Sequence, residues 1–196
     1  MYETMLDLTA RWPYPAAFVE FAVLGMIGEW ISTLLRRSRI PGGIPVVAGK
    51  MLGWGILGAL IKLSFVGFDG FTRSAMSSLG LPAGYLIAGI IPSFALCKSI
   101  FANLFFGPQM MLFHRFEDNL VTRRTGYSGM KPAIATLAWF WIPAHTFTFS
   151  LSNPEMQVAL AALESILLGV ILGLADLSRE GGKARKRGRK ASPPVH

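Results

Sequence analysis

Apolar residues fill five long runs of the chain, separated by short polar stretches. The runs read as Tyr14–Leu35, Ile44–Val66, Gly84–Phe106, Ala133–Leu151 and Met156–Ala175. Each is close to the roughly 20 residues that a helix needs to cross the hydrocarbon core of a bilayer. The pattern predicts an all-α fold, a polytopic transmembrane helical bundle of about five spans. Arg36, Arg37 and Arg39, followed by Pro41-Gly42-Gly43, separate the first two runs. Gly67 to Pro82 carries Asp69, Arg73 and several Ser and Gly, which predicts a polar loop. The third apolar run extends to Leu112, too long for one straight span. Pro92 and Gly107-Pro108 predict its kink and break, because proline removes a helical hydrogen bond. A hairpin within 81–113 is the alternative. His114 to Lys131 reads as the longest polar loop, and Ser152-Asn153-Pro154 as a short turn.

Composition strengthens this reading. Of 196 residues, 52% are hydrophobic and only 15% charged, where a soluble domain carries about 25% charged. The net charge is +8, and its excess is local: the segment from Arg179 onward holds seven Lys or Arg and one Glu. Two regions follow, a transmembrane domain over 1–178 and a basic tail over 179–196, expected to be disordered because it has almost no large apolar residues. The basic residues cluster in loop 36–43, loop 114–132 and the tail, which five spans place on one side. The positive-inside rule then puts the N-terminus out and the C-terminus in. The start of the chain, with Glu3 and Asp7 before Arg11, lacks the basic beginning of a cleavable signal. Cys97 is the one cysteine, so no internal disulfide forms.

Ionisable residues inside the spans are the main candidates for function. These are Glu20 and Glu29 in the first, Lys50 and Lys62 in the second, Lys98 in the third, His145 in the fourth and Glu164 in the fifth. A charge at membrane depth is costly and usually faces a partner or a watery path. Glu29 and Lys50 fall at the same depth on either side of the first loop, about 9 Å inside at 1.5 Å per residue. The expected neighbours are Glu29–Lys50, Glu20–Lys62 and Lys98–Glu164. Lys98, Glu164 and His145, read as near mid-membrane, are expected to line or gate a polar path, whereas the other four suit ion pairs that fix the register of the bundle. Pairs of small residues at helical spacing, Gly49 with Gly53, Gly55 with Ala59 and Gly169 with Gly173, predict close helix packing within one subunit, with a dimer interface as the alternative. Trp139-Phe140-Trp141 reads as an interfacial aromatic belt.

Four blocks in order resemble a known family. Gly28, Glu29, Trp30, Ile31 and Ser32 close the first span; Gly53 to Asp69 is a glycine-rich span ending in an acid. Lys98, Ala102, Asn103, Phe106, Gly107 and Pro108 form the third block, and Trp141, Pro143, His145, Thr148, Phe149 and Pro154 the fourth. The chain is similar in these to the small peroxisomal, mitochondrial and bacterial membrane proteins of the Mpv-seventeen and PMP-twenty-two type. Ala102, His145 and Thr148 stand where that family has an acid, a glutamine and an asparagine. The resemblance implies a small helical inner-membrane protein forming a weakly selective pore.

Other motifs exclude more than they suggest. There is no HExxH, no P-loop and no paired cysteine, so nothing points to catalysis. His114, Glu117 and Asp118 read as a solvated interfacial cluster rather than a metal site. No cofactor is expected. Lys183, Arg185, Lys186, Arg187, Arg189 and Lys190 in the tail predict contact with anionic lipid, worth about 1 kcal/mol per basic residue. The sequence therefore predicts a non-enzymatic channel or pore for ions or small metabolites, in a bacterial cytoplasmic membrane or alternatively an organelle inner membrane, without nucleic-acid partners. The alternative role is a structural or assembly subunit of a larger membrane complex, and homo-oligomers fit either role.

Overall fold

A computed structural model describes residues 9–35, 43–127 and 130–191, with side chains as far as 174. Its helices are α1 (Pro13–Leu35), α2 (Ile44–Ser78), α3 (Ser93–Phe101), α4 (Gly107–Thr122), α5 (Met130–Thr136), α6 (Ile142–Phe149) and α7 (Pro154–Ala191). Two π-helical turns, Ala102–Phe106 and Leu137–Trp141, join α3 to α4 and α5 to α6. The all-α expectation needs one small addition, an antiparallel hairpin of two-residue strands, β1 (Leu86–Ile87) and β2 (Ile91–Pro92). Among the described residues, three helical segments are long and apolar enough to cross a membrane: Pro13–Leu35, Ile44–Ser78 and Pro154–Leu174.

The π turns have a cause that can be read in the sequence. The Gly107 N–H bonds to the Ala102 carbonyl, and the Ile142 N–H to the Leu137 carbonyl, five residues back in each case. The next residue is Pro108 in one case and Pro143 in the other. A proline ring collides with the carbonyl four residues before it, here that of Leu104 or Trp139. Both carbonyls sit inside a widened turn, which makes room for the ring without ending the helix. The break expected at Gly107-Pro108 is therefore a bulge. The helix runs on to Thr122, through half of the segment from His114 that had read as a loop.

Two other boundaries move. α2 continues twelve residues past Val66, to Ser78, where a polar loop was expected. Arg73 and Asp69 lie one turn apart and pair at 2.9 Å. Phe71 packs edge-on against Phe101, with ring centres 5.3 Å apart. Residues 84–92 precede the third helix rather than belong to it. Pro92 occupies the N-cap position of α3 instead of kinking it, and the Ser93 hydroxyl donates to the Pro82 carbonyl at 2.7 Å. The turn before α7 is as expected: the Asn153 side chain accepts from the backbone N–H of Glu155 at 2.8 Å, the usual action of an N-cap. α7 carries the backbone of the basic segment as far as Ala191. The side chains from 175 onward, and with them the six expected lipid contacts, lie outside the described residues.

The helices pack α1 on α2 and α7, α3 on α6, and α2 on α4. Ala17, Phe21, Phe65, Ala95, Phe149, Val158, Ala161 and Ala162 form the shared core. The opposite faces are also apolar: Val19, Val23, Trp30 and Leu34 of α1 and Leu163, Leu167 and Leu174 of α7 are exposed. A helix apolar on every side suits lipid on one face and protein on the other. In lipid, apolar burial drives association weakly, so close approach and polar ties matter more. The glycines supply the close approach within this one chain. A side chain at Gly58 would strike the Ala17 carbonyl and Phe21, one at Gly55 would strike Phe18, and one at Gly49 would lie 3.0 Å from Val121.

Candidate functional site

Near the start of α2 the Lys50 ammonium is held by two carboxylates. Glu29 of α1 and Asp118 of α4 each lie 2.7 Å from it. Glu29 also accepts from the Trp54 indole N–H at 3.0 Å. The Trp54 ring lies against the His114 ring at 4.5 Å, and Arg115 approaches Asp118 at 3.9 Å. Burial pushes the Asp118 carboxyl up, but the bonded Lys50 ammonium outweighs it and holds the group below the usual carboxylate range.

These side chains frame a vestibule of about 300 Å³. It adjoins a second void of about 320 Å³ between the helices. Glu29, Ser32, Met111, His114 and Ala133 line both. The inner chamber is mostly apolar, with Phe21, Gly28, Leu57, Phe65, Phe106, Leu168 and Gly169 among its walls. Both π turns face into it, through Ala102, Asn103 and Phe106 on one side and Leu137 and Trp141 on the other. Wide turns of this kind often mark functional sites.

The polar groups deep in the chamber are few. Asn103 donates to the Ser99 carbonyl at 2.9 Å and faces His145 Nδ1 at 3.1 Å. The Ser99 carbonyl can only accept, which fixes the amide orientation. His145 Nδ1 then accepts, and its Nε2 carries the proton. The His145 ring packs against Trp141 at 5.0 Å, Phe149 at 5.5 Å and Phe65 at 5.6 Å. The Trp141 indole nitrogen is buried with no hydrogen-bond partner among the described residues.

The structure gives the sequence candidates separate partners. Glu29 and Lys50 meet as expected, with Asp118 added. Lys62 forms its ion pair with Glu155 at 2.7 Å, because α7 begins beside α2 and brings its first acid to that level; Glu20 lies near enough to both for their charges to act on it. Lys98 meets Asp69 at 3.3 Å rather than Glu164, and its ammonium lies 4.5 Å over the Phe149 ring. The extension of α2 past Val66 is what brings Asp69 within reach. Lys98 lies about one turn and a half inside the start of α3. Glu164 instead accepts from the Thr148 hydroxyl at 2.6 Å, and its second oxygen has no partner among the described residues. Of the three expected path residues, only His145 lines the chamber; Lys98 and Glu164 do not.

Sequence reading missed Asp69, Asp118 and Glu155 because each was assigned to a loop or span end. It missed Asn103 and Trp54 because neutral polar side chains in an apolar run give no charge signal. The signal that was present is spacing: His114, Glu117 and Asp118 repeat at helical intervals and follow an apolar run without a break.

No family model matches the chain, and no curated protein or solved structure does. The fold and site therefore define its class: an all-helical protein with helices fit to cross a membrane and a chamber between them.

Proposed function

We propose that the chain is a five-span membrane protein that passes small, weakly polar solutes through this chamber. In this reading the ends of α1 and α4 and the start of α5 lie on the cytoplasmic side, following the basic loops, in a bacterial cytoplasmic membrane. The observation that carries the proposal is that the charged vestibule and the chamber that reaches His145 share Glu29, Ser32, Met111, His114 and Ala133 in their walls. Beyond His145 stand the Phe65 and Phe149 rings, edge to face at 4.7 Å, with the Lys98 ammonium over the Phe149 ring. The apolar walls disfavour bare ions, which lose hydration without gaining ligands. The resemblance to the Mpv-seventeen and PMP-twenty-two proteins adds a pore-like precedent resting on the four sequence blocks alone.

Flux through liposomes tests the reading. Purified protein is expected to speed glycerol entry much more than potassium entry. Gly169→Leu should suppress it about tenfold or more, since a side chain at Gly169 meets nothing nearer than the Gly28 carbonyl at 3.9 Å and so grows into the chamber. Folded protein that passes neither probe would refute the pore and favour a scaffold role within a larger complex.

A further inference from the structure

The chamber runs the same distance along each long helix: Phe21 to Ser32 on α1, Trp54 to Phe65 on α2 and Ala161 to Leu172 on α7. Each stretch covers about 16 Å at 1.5 Å per residue. Half of a hydrocarbon core about 30 Å thick is close to that. The chamber is therefore as deep as one leaflet of a bilayer. Its volume of about 320 Å³ takes roughly a dozen carbon atoms, since an apolar cavity of about 150 Å³ takes up benzene. No Lys, Arg or Asp lines it. Thr136 and Ser165 spend their hydroxyls on the Ala133 and Ala162 carbonyls of their own helices.

The vestibule at the Ser32 end is charged instead. Glu29 and Asp118 are both bonded to Lys50 there. Arg115 also lines it, with a third of its side chain exposed, and its ion-pair contact among the described residues is the 3.9 Å approach to Asp118. Its other N–H groups suit a phosphate or carboxylate, which a guanidinium grips with two parallel bonds. Glu29, Asp118 and Glu117 against Lys50 and Arg115 leave one negative charge. Arg123 and Arg124 after α4 and Lys131 beside Met130 of the vestibule wall outweigh it. A polar, basic end thus caps an oily void one leaflet deep.

We propose that the two voids together bind an amphiphile with a phosphate or carboxylate head, one chain lying in the chamber and the head meeting Arg115 in the vestibule. The proposal rests on the membrane placement given above, not on transport. An anionic membrane lipid lending one chain and a free single-chain amphiphile share this chemistry.

The test is photolabelling of the full chain in nanodiscs of digalactosyl diacylglycerol, a bilayer lipid without phosphate. The probe is dodecyl phosphate with a diazirine at its chain end, and labelled residues are mapped by mass spectrometry. The label should fall on the deep wall, around Phe21, Phe65 and Ala161. At equal mole fraction in the disc, unlabelled dodecyl phosphate should compete about tenfold better than dodecanol or more, the worth of a hydrogen bond to a charged group. Arg115→Gln should erase that difference while leaving competition by dodecanol unchanged, and Gly169→Leu should abolish the deep label. Label confined to exposed positions such as Leu163 and Leu167 would overturn the proposal, as would equal competition by the two heads, and neither result needs a variant to fold. A head preference untouched by Arg115→Gln would also overturn it. Replacing part of the disc lipid by phosphatidylglycerol separates the two sources: loss of the deep label assigns the site to a membrane lipid, and its persistence to a free amphiphile. Deep label without glycerol flux would refute the pore and leave this site standing; glycerol flux without deep label would do the reverse.

Discussion

At the residue scale, the charges in this protein are placed for pairing before anything else. Lys50 is buried and bound to both Glu29 and Asp118. Removing it strands two carboxylates, and breaking a buried pair in this way costs about 3 kcal/mol or more. Lys50→Met should therefore destabilise the protein by about that amount, read from chemical unfolding in detergent. The triple change Lys50→Met, Glu29→Gln, Asp118→Asn should recover most of the loss. Equal stability of the single and triple variants would show that the cluster carries no such strain. The Asp118 share has a defined pH dependence. Its folded value lies below its unfolded one, so the stability it supplies is present above about pH 4. It is lost as the pH falls through the folded value. The Glu29–Lys50 contact was legible because the two residues lie at matching distances from the boundary between two consecutive apolar runs. The partners of Lys62 and Lys98 were not, because they depend on which distant helix arrives alongside and on how far α2 extends.

At the element scale, helix existence was legible and helix ends were not. Apolar runs announce a helix in lipid, but polar residues at the end of a run need not stop it. Asp69 and Arg73 look like loop residues in sequence, yet as an i, i+4 pair they prolong α2. The prolines misled in the same way. Pro108 looked like a terminator, and the chain answers it with one extra residue in the preceding turn. That answer is testable at Leu137–Trp141. Deleting Ala138 together with Pro143→Ala should return the segment to regular α-helix with Ile142 and the residues after it in register. The thermal midpoint is expected to stay level or rise, while glycerol flux falls, since Trp141 turns away from its present place on the wall. A large fall in the midpoint would mean that the π turn serves packing rather than the chamber.

At the scale of the whole molecule, the long helix α2 is the common partner. Lys50 ties it to α1 and α4, Lys62 to α7, and Asp69 to α3. The general architecture, apolar helices around a sparse polar interior, was legible from run length and charge depth. The chamber was not, because a void is a property of packing among five segments and leaves no mark in any one of them. The order in which α2 finds its partners has a consequence for synthesis. Glu29 and Lys50 lie on consecutive helices, so their contact needs no later part of the chain. Lys62 waits for Glu155, 93 residues later. A chain cut after Ser150 should therefore lack the carboxylate that pairs with Lys62 at 2.7 Å, leave it only the nearby charge of Glu20, and turn over faster in cells than the full chain. Lys62→Met should lengthen the lifetime of the cut chain, followed by pulse-chase, and no effect of that change would count against the idea.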